Sequence, residues 1–285
     1  MSETRKIIKL SRSQPVIEGV GVHLKRAVGN DEFEPSDPFL LLDDFRSDTP
    51  AHFLNGFPWH PHRGIETITY VLEGDVEHGD SLGHKGIIGS GDVQWMTAGS
   101  GIIHQEMPKG DDRGRMYGFQ LWANLPASHK MIDPAYRDVK SADIPTVARE
   151  DGSGVKVICG SFDGVQGPVR DIVTDPEYLD VSIPANSEFT HATKRGHTVM
   201  AYVIGGEGKF ISEDESIIDN TGLILFGDGD SISVTTGDEP VRFLLMSGRP
   251  IGEPIAWRGP IVMNTHEELR IAYEELDQGT FIKHG

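Results

Sequence analysis

The chain has 285 residues, 25% of them charged and 37% apolar, a balance that excludes disorder and a membrane-like composition and allows one large domain or two of ordinary size. Asp and Glu outnumber Lys and Arg by 44 to 26, a net charge of −18, and so acidic a chain repels phosphate backbones, which argues against direct nucleic-acid binding. The one cysteine, Cys159, excludes an internal disulfide and a paired-cysteine zinc site, and the absence of a leader-like or long apolar segment predicts a cytoplasmic protein without membrane contact.

Along the chain, short apolar runs alternate with glycine- and proline-bearing turns. Runs at 67–72, 93–96, 117–122, 155–159, 199–204, 222–226 and 241–246 read as strands, the pattern of an all-β sandwich or barrel. Two segments recur in order. Thr69-Tyr70-Val71-Leu72-Glu73-Gly74 resembles Ala201-Tyr202-Val203-Ile204-Gly205-Gly206, and Gly89-Ser90-Gly91-Asp92 resembles Gly227-Asp228-Gly229-Asp230. The repetition predicts two domains in tandem: residues 1–138, a linker over 139–154, and residues 155–285. A helix is expected only near the end. Thr265 with Glu268 forms a capping box, Leu269, Ala272, Tyr273 and Leu276 share one face, and Gly279 ends it.

Six of the 12 histidines, His52, His60, His62, His78, His84 and His104, fall between residues 52 and 104. Two pairs stand out, His60-Pro61-His62 and His104-Gln105-Glu106. In a strand, residues i and i+2 share a face, so each pair can aim two ligands into one space. Three imidazoles and a carboxylate suit iron, manganese, nickel, copper, zinc or cobalt. Glu66, four residues after His62, falls on the same face of an uninterrupted strand and is an alternative carboxylate ligand; otherwise it bonds a neighbour such as Arg63. His52, His78 and His84 sit in polar or glycine-rich surroundings and read as solvated loop histidines.

The stretch His60-Pro61-His62-Arg63-Gly64-Ile65-Glu66-Thr67-Ile68-Thr69-Tyr70 resembles the first metal-binding motif of the cupin superfamily, and within it the pirin family. The segment from Gly91 to Glu106, which contains Trp95-Met96-Thr97-Ala98-Gly99-Ser100-Gly101, is similar to the pirin form of the second motif. Gly118-Phe119-Gln120-Leu121-Trp122-Ala123-Asn124 and Gly259-Pro260-Ile261-Val262-Met263-Asn264 are similar to further pirin signatures. The resemblance implies a bicupin of two jelly-roll barrels. It implies one metal, usually iron as Fe(II), in the first barrel only, held by His60, His62, His104 and Glu106, with Glu66 kept but not ligating. The repeat places Ala192, Lys194, Arg242 and Leu244 at the ligand positions of the second half, none of them a match.

The resemblance also implies quercetinase activity, the cleavage of a flavonol ring by dioxygen, with Glu106 or Glu66 as general base. Phe53, Phe57 and Trp59 lie in a loop suited to the mouth of the site, whereas Trp95, Met107 and Phe119 are candidates for its lining, with ordinary packing favoured for Trp95 and Phe119. Other pirins bind transcriptional regulators, so a metal-dependent protein-binding switch without turnover is the second reading. A structural metal is the third.

Overall fold

The computed structural model describes residues 3–29, 36–210 and 216–283. All seven runs read as strands are strands, and the single α-helix among the described residues spans His266–Asp277. Contacts divide the chain into two compact units, and the division is not serial. One unit comprises residues 15–28, 39–141 and 251–285; the other comprises 1–14, 29–38 and 142–250. Each unit therefore takes one end of the chain from beyond the boundaries the repeat suggests. The reasons are local. Strand Ile7–Arg12 pairs antiparallel with Gly222–Phe226, and the helix buries Leu269 and Ala272, with Phe281, against the hairpin that carries Ala256, Ile261 and Met263.

Besides that hairpin, the first unit contains two larger antiparallel sheets among the described residues. The larger runs Ala135–Val139, Val93–Thr97, Ile65–Glu73, Tyr117–Asn124, Phe39–Asp44, Val22–Val28, Gln14–Glu18. The smaller runs Phe57–His62, Ile102–Pro108, Val76–Asp80, Lys85–Ile88. Leu24 and Val71 from the larger sheet pack with Val76 and Ile88 from the smaller, which closes one end of the interior with apolar side chains. Ile65, Met96 and Ile102 pack together elsewhere between the sheets. The helix keeps its capping box: the Glu268 amide donates to Thr265 Oγ1 at 3.2 Å, and the Thr265 amide donates to Glu268 Oε2 at 2.9 Å.

In the second unit the long strand Thr198–Lys209 lies between Gly222–Phe226 and Val241–Gly248. In the first, Ile65–Glu73 lies between Val93–Thr97 and Tyr117–Asn124. This topology corrects the second repeat alignment. The counterpart of ligand strand Ile102–Pro108 is Ser231–Thr235, which pairs with Glu188–Ala192 as Ile102–Pro108 pairs with Phe57–His62. Arg242 and Leu244 thus do not stand where His104 and Glu106 do. Arg242 forms an ion pair with Asp180, and Leu244 is core. A short matching turn cannot distinguish neighbouring strands that share glycine-aspartate punctuation; pairing does.

Candidate metal centre

Two neighbouring strands of the small sheet supply the site. His104 is directly opposite His60 in the antiparallel register, and His62 is opposite Ile102. Cross-strand partners and i, i+2 neighbours share a face, so three imidazoles converge. One ring nitrogen from each of His60, His62 and His104 lies within 4.8 Å of the others. His60 Nε2 and His62 Nε2 are 3.1 Å apart.

The remaining nitrogens show how the rings are held. His60 Nδ1 lies 2.8 Å from the Pro58 carbonyl, and His62 Nδ1 lies 3.0 Å from the Pro260 carbonyl. A carbonyl only accepts, so each Nδ1 carries the hydrogen and each Nε2 presents a lone pair to the centre. His104 is 2% exposed, and neither of its ring nitrogens has a hydrogen-bond partner. An unpartnered buried imidazole costs roughly 1–3 kcal/mol, a cost that a metal bond offsets. Burial, with the nearby imidazoles adding to it, holds His62 and His104 well below the ordinary histidine range. They are neutral, the form that binds a metal. The residues present fit a transition metal.

The carboxylates sit differently. Glu106 is buried outside the group of three nitrogens. Its Oε1 accepts from Thr69 Oγ1 at 2.8 Å and its Oε2 from Gln120 Nε2 at 2.8 Å. The pairing slips between His104 and Glu106, so that Glu106 is opposite Phe57. Glu66 Oε1 accepts from Thr97 Oγ1 at 2.7 Å, and burial pushes its carboxyl above the ordinary range despite that bond. Arg63 is not its partner. The Arg63 guanidinium donates to the carbonyls of Ser100 and Phe281 and pairs with Glu275. Gly64, next in the chain, has a φ of +77°, and a Cβ there would stand 2.0 Å from the Val262 carbonyl oxygen. Only glycine lets the 259–263 segment come this close to the ligand strand.

A cavity of about 430 Å³ opens in front of His60 and His62. Phe57, Leu41, Trp122 and Trp257 supply its apolar wall, and Trp122 meets the His62 ring edge-on at 5.1 Å. Gln120, Glu18, Arg26 and Asp43 supply its polar wall. Arg26 Nε and Nη2 donate to Asp43 at 2.9 and 2.8 Å, and Nη1 lies 3.0 Å from Glu18 Oε1. Burial pushes the Asp43 carboxyl up to about 6 against the pull of Arg26, so at neutral pH it remains ionised. Burial alone would lower Arg26, but Asp43 and then Glu18 hold it above its ordinary value.

Of the aromatic residues considered from sequence, only Phe57 lines this cavity. Phe53, Trp95 and Phe119 are core, and Trp59 is 53% exposed. His84 is exposed and bonded to Asp80, and His52 stacks on His23; neither joins the group of three. His78 is a correction: it is buried on strand Val76–Asp80, opposite Glu106, and receives a hydrogen bond from Gln94. Its glycine-rich surroundings disguised a strand. Trp122 carried a legible signal, standing two residues after Gln120 in an alternating strand. Pro260 and Trp257 carried none, because they reach the site through tertiary structure.

Comparison with known proteins agrees with this architecture. The Pirin family model matches residues 21–123 and the model for the Pirin C-terminal cupin domain matches residues 178–282. A pirin-like protein of Caulobacter vibrioides is 44% identical over 278 residues, covering 97% of this chain and 99% of that protein. The crystal structure of a quercetin 2,3-dioxygenase from Acinetobacter baumannii superposes with a TM-score of 0.88 at 31% identity, over 98% of each chain. A bacterial pirin from Escherichia coli, solved in complex with nickel(II), shares the fold with a TM-score of 0.65 at 21% identity, covering 85% of this chain and 98% of that one. Two cupin domains, the three-histidine centre and the matches across both halves lead to one conclusion: the chain belongs to the pirin family.

Proposed function

We propose that this protein is a metal-dependent dioxygenase of the quercetin 2,3-dioxygenase type, opening a flavonol or a related enol with dioxygen. The observation that carries the reading is the partnerless, buried His104 beside two imidazoles whose free nitrogens face the same point, next to an aromatic-walled cavity. The likeness to the Acinetobacter baumannii quercetin 2,3-dioxygenase supports it. We assign His60, His62, His104 and Glu106 as the ligands and Fe(II) as the metal; the related Escherichia coli pirin was solved with nickel(II).

A bound divalent metal supplies Lewis acidity toward the enol oxygen and lowers its pKa. This chain's residues do the rest. Pro58 and Pro260 fix the tautomers of His60 and His62. Trp122, Trp257 and Phe57 receive a planar aromatic ring and exclude water from it. Glu106 takes the enol proton. Thr69 and Gln120 hold its two oxygens, and Gln120 itself lines the cavity. Neither of these carboxylates lines the cavity itself; Glu106 is linked to it through Gln120, whereas Glu66, the alternative base, is bonded to Thr97, which does not line it.

The test is anaerobic reconstitution with Fe(II), then oxygen uptake with quercetin by wild type and His62→Ala, with metal content assayed on the same samples. Uptake matched to flavonol loss in wild type, and absent from a folded variant, is expected. A full complement of metal without uptake would remove quercetin as the substrate and favour the metal-dependent binding role.

A further inference from the structure

The cavity has a second polar group besides the histidines. Asp43 lies two residues beyond Leu41 on strand Phe39–Asp44, and Leu41 is opposite Trp122, the residue against His62. The companions of Asp43 are Arg26 and Glu18. Asp43 is opposite Gln120 on one side and Arg26 on the other, and neighbouring strands are about 4.8 Å apart, so the group runs across the sheet from the Gln120 end of the cavity to Glu18 on the edge strand Gln14–Glu18. This trio carries two carboxylates for one guanidinium. Three nitrogens of Arg26 are engaged by those carboxylates at 2.8–3.0 Å, whereas a carboxylate has about four acceptor sites. The group is therefore rich in acceptors and negative overall.

We propose that Glu18 and Asp43, bridged by Arg26, determine substrate specificity by accepting hydrogen bonds from hydroxyl groups on the ring remote from the reacting enol. The cavity takes neutral polyphenolic enols and rejects aromatic substrates bearing a carboxylate, sulfate or phosphate at that end. The inference rests on the reading of this cavity as the substrate site and adds the class of substrate it admits. A guanidinium already clasped by two carboxylates is a poor receptor for a third anion, and like charge at close range disfavours one.

Binding can be read without turnover. Trp122 and Trp257 line the cavity, so quenching of tryptophan fluorescence reports occupancy in the Fe(II)-loaded protein under anaerobic conditions. Three ligands are compared: a flavonol with a catechol ring, the unsubstituted flavonol, and the flavonol carboxylated on the same ring. Glu18 is the residue to change because its side chain is 42% exposed, so Glu18→Gln folds. A hydrogen bond to a charged acceptor corresponds to about tenfold or more in affinity. Wild type should bind the catechol about tenfold more tightly than the unsubstituted ligand, and the carboxylated one about tenfold more weakly. Glu18→Gln should compress both ratios to within about threefold. A carboxylated ligand bound as tightly as the catechol, or ratios unmoved by Glu18→Gln, would overturn the specificity role alone. If none of the three quenches the tryptophans, the substrate-site reading falls and takes this inference with it.

Discussion

The two barrels run the same sheet topology around opposite interiors. On the paired strands Phe57–His62 and Ile102–Pro108, His60 is opposite His104. On the matching pair Glu188–Ala192 and Ser231–Thr235, Phe189 is opposite Val234 and His191 is opposite Ile232. Phe189, Ile232 and Val234 join Phe243, Leu179 and Ala201 in a continuous apolar core. The inward positions of the first barrel instead include His62, His78, Asp80, His104 and Glu106, all buried. The second barrel buries one histidine on these strands, His191, beside Glu177, and among the described residues it has no three-histidine group, so the fold does not require one. Burying Phe189 stabilises by the ordinary apolar transfer, whereas burying His104 without a partner costs free energy. The first barrel has given up stability where it gains a site.

Two substitutions should separate the barrels most strongly. His104→Leu should reduce metal affinity at least about 100-fold, more than loss of an outer-shell partner does, and should leave the metal-free protein no less stable in a denaturant titration. Phe243→Ala, in the other barrel, should lower unfolding free energy by about 3–5 kcal/mol with metal stoichiometry unchanged. Destabilisation by His104→Leu in the metal-free state would show that the imidazole has a packing role of its own.

A smaller effect is expected at Lys130, whose ammonium donates to the Gly64 and Val262 carbonyls and to Asn124 Oδ1 at 2.7–3.0 Å. Burial lowers it from 10.5 to about 8, with Glu253 and Glu268 opposing. Between those two values the unfolded chain holds a proton that the folded chain has released. Wild type should therefore gain stability relative to Lys130→Met as pH rises through that window, by at most about 1.4 kcal/mol per pH unit. A difference that stays flat with pH would mean that the three oxygens keep the lysine charged. The smallest effect is at the helix start, where Thr265→Ala should cost about 1 kcal/mol, measured by the same titration.

What could be read from the chain alone follows physical range. Alternating apolar runs mark strands because a half-buried strand imposes its period on the sequence, and Thr265 with Glu268 marks a helix start because both bonds close within four residues. His60, His62 and His104 were visible for the same reason: i, i+2 spacing fixes a shared face once a strand is assumed. Three things lay beyond that range. The partners of Glu106, Thr69 and Gln120, come from two strands of the opposing sheet. The exchanged chain ends depend on strand Ile7–Arg12 finding a register some 210 residues away in Gly222–Phe226. The acceptor group of Glu18, Arg26 and Asp43 is three isolated charges until the sheet brings them together.

The Pro260 carbonyl on His62 gives the centre a history as well as a geometry. The three histidines have all been synthesised by residue 104, but the group that decides which nitrogen of His62 bears its hydrogen emerges more than 150 residues later. On a ribosome, the first barrel would wait through the whole second barrel before its centre could be completed. A chain cut after residue 250 would retain all three imidazoles of the centre and lose the Pro260 carbonyl, the Trp257 wall and the Phe281 carbonyl that holds Arg63. Assembly of this site thus waits on a segment far downstream of its ligands.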